Sequence, residues 1–171
     1  MASWWEQSEL PVLAQGNLIR QCPIPVVLGS TTPEEFEIDV QNRDVIVVTQ
    51  SCDLKANKVR SVCVCPVLTL PEMMLRFPKV FPSLKNFEGV RVGTSPSVCL
   101  LQSPDGDEDN ARCLIVDFRD MYSLSVDYLT RFTLAAGPRP TLLSPWVEHF
   151  SQAFARFFMR VGLPSDIPSF K

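Results

Sequence analysis

Histidine is nearly absent from this sequence, glycine is scarce, and positive charge has no excess. The single histidine, His149, is the sole imidazole, so any scheme built on a thiol nucleophile and an imidazole base must pass through it. Seven glycines stand against fifteen prolines, which predicts fixed turns and interrupted strands rather than long helices. The formal net charge of −3 argues against a main task of holding a long nucleic acid, because such domains carry a basic excess. No apolar run reaches the ~18 residues of a membrane span, so no membrane partner is expected. The opening MASWWEQSEL has neither the basic nor the apolar stretch of a secretory signal. A reduced, cytoplasmic setting follows as the expectation.

What is present is ordinary globular composition, 46% apolar and 20% charged, and the length suits one domain over residues 1–171. The six cysteines fall mostly inside β-patterned runs, where a thiol packs as a small hydrophobe. Cys63-Val64-Cys65 lacks the spacing of a zinc knuckle, and Asp107-Glu108-Asp109 lacks the alternation of a calcium loop. No metal and no cofactor are expected.

Along the chain, GNLIRQCPIPVVL (16–28) reads as a strand that its prolines confine in part to an edge. TTPEEFEIDVQN (31–42) reads as an acidic loop or amphipathic edge. DVIVVTQ (44–50) has the continuous β-branched pattern of a strand buried on both faces. DLKANKVR (53–60) is a polar connection, and SVCVCPVLTL (61–70) is the next strand. Four prolines in 71–96 predict a short helix and irregular segments. SVCLLQS (97–103) and RCLIVDFRD (112–120) form a hairpin about an acidic turn pivoting at Asp105-Gly106. Ser125-Val126-Asp127 ahead of Tyr128-Leu129 suggests one helical turn. GPRPTLLS (137–144) connects into a helix over about 145–161, with Ser144 as N-cap, Pro145 at its first position, and Gly162 and Pro164 ending it. Its apolar stripe runs through Trp146, Val147, Phe150, Phe154, Phe157, Phe158 and Val161, a face for core rather than for a partner.

This pattern predicts a mainly β fold with added helix: a small, partly open barrel, core about 16–134, carrying an irregular middle insertion and a C-terminal amphipathic helix. GNLI (16–19), NRDVIVVTQ (42–50) and VCVCPVLT (62–69) together resemble the PemK/MazF-like pattern, over about a third of the chain. The resemblance implies an SH3-like barrel and, as in many prokaryotic members, a metal-independent endoribonuclease that cleaves single-stranded RNA. It also implies a homodimer and an antitoxin or phage-defence partner. Arg43 stands where the family places a catalytic arginine, and Thr69 near its catalytic threonine. A guanidinium there would stabilise the charge of a pentavalent phosphate. Two residues depart from the pattern: Asn17 replaces an aspartate, and Asp44 replaces a proline. They favour the alternative, a non-catalytic barrel acting as an interaction or regulatory subunit of a defence assembly.

Gln50, Ser51, Cys52 and Asp53 end the valine-rich strand and are expected at the cleft edge, as substrate-binding groups or as turn-formers. A Cys52–His149 nucleophile pair is a third, weaker idea. Arg112, Arg119, Arg131 and Arg139 are expected in solvated surface pairs. Trp4 and Trp5 are expected to fold back onto the barrel.

Overall fold

A computed structural model describes residues 3–9, 11–32, 35–105 and 113–159. Eight strands and five helices run in the order β1 (Trp5–Ser8), β2 (Leu18–Thr32), β3 (Glu35–Val47), α1 (Ser51–Lys55), β4 (Ser61–Thr69), α2 (Leu70–Arg76), a 3₁₀ turn (Leu84–Phe87), α3 (Glu88–Arg91), β5 (Val98–Leu101), β6 (Leu114–Asp117), β7 (Tyr122–Ser125), α4 (Val126–Ala136), β8 (Arg139–Leu142) and α5 (Trp146–Phe158).

Strand β4 is the hub. Val64 pairs with Val47 of β3 on one edge and with Tyr122 of β7 on the other, and Val67–Thr69 pair with β6. Six strands thereby form the order β2-β3-β4-β6-β5, with β7 beside β4. The β1–β8 ribbon joins this sheet through an Asn17–Thr141 bridge. Beyond β5, the Trp5 indole N–H donates to the Gln102 carbonyl at 2.8 Å. The result is an SH3-like barrel in which that side is spanned by a side-chain bond rather than by strand pairing among the described residues, hence partly open.

Alternation along the valine-rich strands sorts their side chains onto two faces. Leu18, Ile46, Cys65, Val67 and Val116 fill the interior, where Phe150 of α5 enters from the side. Val45, Val47, Val62 and Val64 turn outward under Leu54 of α1 and Leu129 of α4. Burial of Val45 through Val48 on both faces is what the unbroken β-branched run foretold. A third cluster, around Met73, Phe81, Phe87 and Ile115, gives the proline-rich insertion a small core of its own. Phe118 is the ring on which α5 docks, with Phe150, Phe154 and Phe157 at 5.9, 5.4 and 6.1 Å between centroids. Burying Phe150 alone is worth roughly 2–3 kcal/mol. Trp4 stacks on Trp146 at 3.8 Å, so both N-terminal tryptophans fold back onto the barrel.

Several expectations are corrected. Of the two readings of TTPEEFEIDVQN the loop gives way to the amphipathic edge: β2 and β3 extend as one long hairpin, paired from Leu18↔Ile46 out to Thr32↔Glu35. Its acidic residues alternate with Ile38 and Val40, which is strand periodicity. Residues 139–142 are strand β8 rather than a connection, because β1 pairs with them along its whole length. The single turn at Ser125 is the start of an eleven-residue helix, with the Ser125 hydroxyl accepting from the Tyr128 N–H at 3.0 Å. At α5 the N-cap position falls to Pro145 rather than Ser144, with no side-chain cap bond there, and the Ser144–Pro145 peptide is cis. Val161, Gly162, Pro164, Asp107–Asp109 and the Gly106 half of the acidic pivot lie outside the described residues.

Candidate functional site

The long β2–β3 hairpin is broken near its base by a bulge between Ile19 and Cys22. Gln21 sits there with φ of 48°, and Asp44 secures it by accepting from the Gln21 backbone N–H at 2.9 Å. Asn17, the other departure, is buried and fully used: its amide donates to Thr141 Oγ1 at 2.7 Å, and its oxygen accepts from the Ala14 N–H and Arg139 Nε, each at 2.9 Å. Gly16 precedes it at φ 81°, where a Cβ would lie 2.9 Å from Leu142 Cβ, so the opening glycine lets β8 approach.

Around the bulge lies a cleft of about 690 Å³. Arg20, Arg43, Asp44, Thr69, Glu72, Arg76 and Asp105 all line it. Pairing of β3 with β4 therefore does bring the aligned arginine and threonine to one cleft. Each already has a partner. Of the five N–H donors of a guanidinium, Arg43 directs four bonds inward: two to Gln41 Oε1, one to Asp120 Oδ2 at 3.0 Å and one to the Tyr122 hydroxyl at 2.9 Å. Asp120 Oδ2 also accepts from Arg76 at 2.6 Å. Burial opposes the Asp120 charge, but Tyr122, Arg76 and Arg43 outweigh it, holding the carboxyl below the usual aspartate range. The Tyr122 phenol is pushed up to about 12 by burial and by the Asp120 carboxylate.

Thr69 is the N-cap of α2. Its hydroxyl accepts from the Glu72 backbone N–H at 3.4 Å while Glu72 Oε2 accepts from the Thr69 backbone N–H at 2.7 Å, a reciprocal capping box, and the hydroxyl also lies 2.7 Å from Glu72 Oε2 as donor. Arg20 meets both oxygens of Asp105, at 2.9 and 2.8 Å, and lies 3.6 Å from Asp44. Three guanidiniums thus face three carboxylates in the lining (Asp44, Glu72, Asp105), with Asp120 immediately behind. The cleft is charge-balanced.

Gln50, Ser51, Cys52 and Asp53 do not line this cleft. They start α1, beyond the far end of the strand segment that begins at Arg43, on the order of 20 Å away at strand rise. Ser51 Oγ accepts from the Gln15 N–H at 3.0 Å, Cys52 Sγ is exposed and 3.5 Å from Gln50 Oε1, and Asp53 is 4.0 Å from Lys58 Nζ. The Cys52–His149 idea fails on topology: α1 packs on the outer face of the sheet through Leu54, whereas α5 packs on the barrel interior through Phe150. Burial pushes the Cys22 thiol up to about 11 and that of the half-buried Cys99 to about 12, and it raises the buried Cys65 as well.

The expectation of solvated pairs fails for Arg139, which is buried and donates to Asn17 and to the Val12 carbonyl at 3.0 Å, pinning β8 to the start of β2. Arg119 grips the buried Asp117 and lies 4.4 Å over the Phe77 ring. Arg131 is exposed as expected, and Arg112 is outside the described residues. Arg20, Glu72, Arg76 and Asp105 in the lining, and Asp120 behind it, were not among the site residues expected from sequence. The Thr-x-x-Glu capping spacing could have found Glu72.

No family model, curated protein or solved structure matches the chain.

Proposed function

We propose that this chain is a non-catalytic PemK/MazF-like barrel that works in the cytoplasm by holding another protein, as an interaction subunit of a larger assembly. The observation that carries this is the state of Arg43: four of its donors are spent on Gln41, Asp120 and Tyr122. A cation in that condition ties β3 to the turn between β6 and β7. To grip a phosphate it would have to give up bonds of charge-assisted strength, about 1.5–3 kcal/mol each. The balanced lining adds no attraction for a polyanion.

A second reading, cleavage of single-stranded RNA, is favoured by the convergence of Arg43, Arg76, Thr69 and Glu72 on one cleft. In it, Glu72 takes the proton of the 2′-hydroxyl, the 2′-oxygen bonds to phosphorus, and the bond to the 5′-oxygen breaks with a proton from water. Arg76, which donates to Asp120 at 2.6 Å behind the lining, would carry the phosphate charge. Incubating purified protein in excess with mixed single-stranded RNA separates the two. The expected result is intact RNA with wild type and with Asp120→Asn alike. Cleavage by wild type that Glu72→Gln abolishes would establish the second reading instead.

A further inference from the structure

The β2–β3 hairpin outlasts the sheet it belongs to. β4 pairs with β3 only at Val45–Val47, so the chain from Pro25 and Val40 outward is a two-stranded ribbon with two edges. The edges differ. On the β2 side, the Pro23 carbonyl accepts from the Tyr128 hydroxyl at 2.9 Å, and Pro23 and Pro25 have no N–H to offer. On the β3 side, backbone alternation decides which groups are open. Val47 bonds to Gly16 and Asn17 at the start of β2, while the Val48 N–H donates to the Cys63 carbonyl on β4. Even-numbered residues of β3 therefore face the β4 side. The extra residue of the bulge lies in β2, so this phase holds outward along β3. The N–H and C=O of Ile38, Val40 and Asn42 consequently point to the side that β4 has left. Among the described residues no strand, turn or side chain takes them. Residues 37–43 contain no proline and no lysine, the usual devices that blunt an edge.

Resting on the interaction-subunit reading above, we infer that this edge takes an extended segment of a partner protein, alternating apolar with basic residues and running antiparallel to β3, as β4 does. The open backbone groups select a strand, because a helix uses its own N–H and C=O internally. The flanking side chains select its sequence, because a strand added at an edge borders both faces of the ribbon. On one face, Ile38 and Val40 are 53% and 61% exposed and pair with Val27 and Pro25 in an apolar strip. On the other face, neither Glu37 nor Asp39 has a cationic partner among the described residues, and Asp39 accepts from the Gln41 amide at 2.8 Å. Residues opposite one another in an antiparallel pair point to the same face. Apolar side chains opposite Ile38 and Val40 thus alternate with lysine or arginine opposite Glu37 and Asp39. A second copy laid on the same edge sets an acid against an acid, or against Arg43, whose donors are already occupied. The seat from Asn42 to Ile38 spans about 13 Å at strand rise. Its inner end opens into the cleft, which Asn42 lines.

The test is titration of the full chain with a short, end-capped peptide alternating valine and lysine. The pairing dictates which peptide amides matter: those of the valines, which lie opposite Ile38, Val40 and Asn42. N-methylation of the valines should weaken binding about tenfold or more, and N-methylation of the lysines should leave it unchanged. Glutamate in place of lysine should also weaken it about tenfold. In the protein, Val40→Pro removes an edge N–H without touching the ladder to β2, and should weaken binding about tenfold. Val27→Pro, on the opposite edge of the ribbon, should leave it unchanged. Circular dichroism checks the fold, and if Val40→Pro fails to fold, the methylated peptides decide on wild type. No binding, equal binding of the two methylated peptides or of the glutamate peptide, or an equal loss with Val27→Pro overturns the inference. So does a dimer in sedimentation that Val40→Pro dissociates, since a second copy would then hold the edge. RNA cleavage by the same preparation would sink the non-catalytic reading itself. Intact RNA with no peptide binding sinks the edge alone.

Discussion

One hairpin carries both the cleft and the ribbon, and its two ends treat their side chains in opposite ways. At the base, Arg43, Asp44 and Arg20 face groups from α2, from the turn before β7 and from the segment after β5, and every charge finds a partner inside the chain. Three register positions outward, Pro25 and Val40 meet each other and then only solvent. The residues that look chemical are occupied with holding the fold. The residues that look merely structural are the ones left open. For a barrel whose motif residues suggest catalysis, that contrast moves the search for function from the cleft to the arm.

The contrast can be broken most forcefully at Asp120. Asp120→Ala removes one carboxylate from two guanidiniums and should cost about 3 kcal/mol in urea unfolding, because both cations lose their shared partner while partly buried. Acid should do the same less completely. The folded-state carboxyl sits below its unfolded value near ~4. Its contribution is therefore full above that value and lost as pH falls through the folded one. Wild type should lose stability over that range more steeply than Asp120→Asn. Smaller still is Tyr122→Phe, which takes one acceptor from Arg43 and should cost about 1 kcal/mol in the same assay. At the ribbon, Val40→Ser should shift unfolding by no more than about 0.5 kcal/mol, since the side chain is already in water. A cost of 2 kcal/mol there would mean that the strip is covered within the chain.

The barrel was legible where local pattern and burial agree. Val45–Val48 are buried on both faces, and a run of β-branched residues says as much. The Phe150, Phe154 and Phe157 stripe likewise announced a docked helix. β1 and β8 were not legible, because WEQS and RPTL carry no alternation and are strands only through each other's backbone. The ribbon was legible only as one of two readings: its acidic residues suggest a loop, whereas Glu37-Ile38-Asp39-Val40 alternates as an amphipathic edge strand does. At the candidate site, the position of Arg43 and Thr69 on one cleft follows from adjacent strands. The occupation of Arg43 does not, since Asp120 and Tyr122 stand 77 and 79 residues away. Pairing across such a separation is a property of the fold rather than of any local spacing. Arg139 and Asn17, 122 residues apart, were hidden in the same way.

A double-mutant cycle on Arg43 and Asp120, each replaced by alanine singly and together and followed by urea unfolding, tests most directly whether the cleft's cation serves the fold. A coupling energy of about 1.5–3 kcal/mol is predicted. A coupling indistinguishable from zero would show that Arg43 is energetically free of its carboxylate, and would return the cleft to candidacy as a phosphate-binding site.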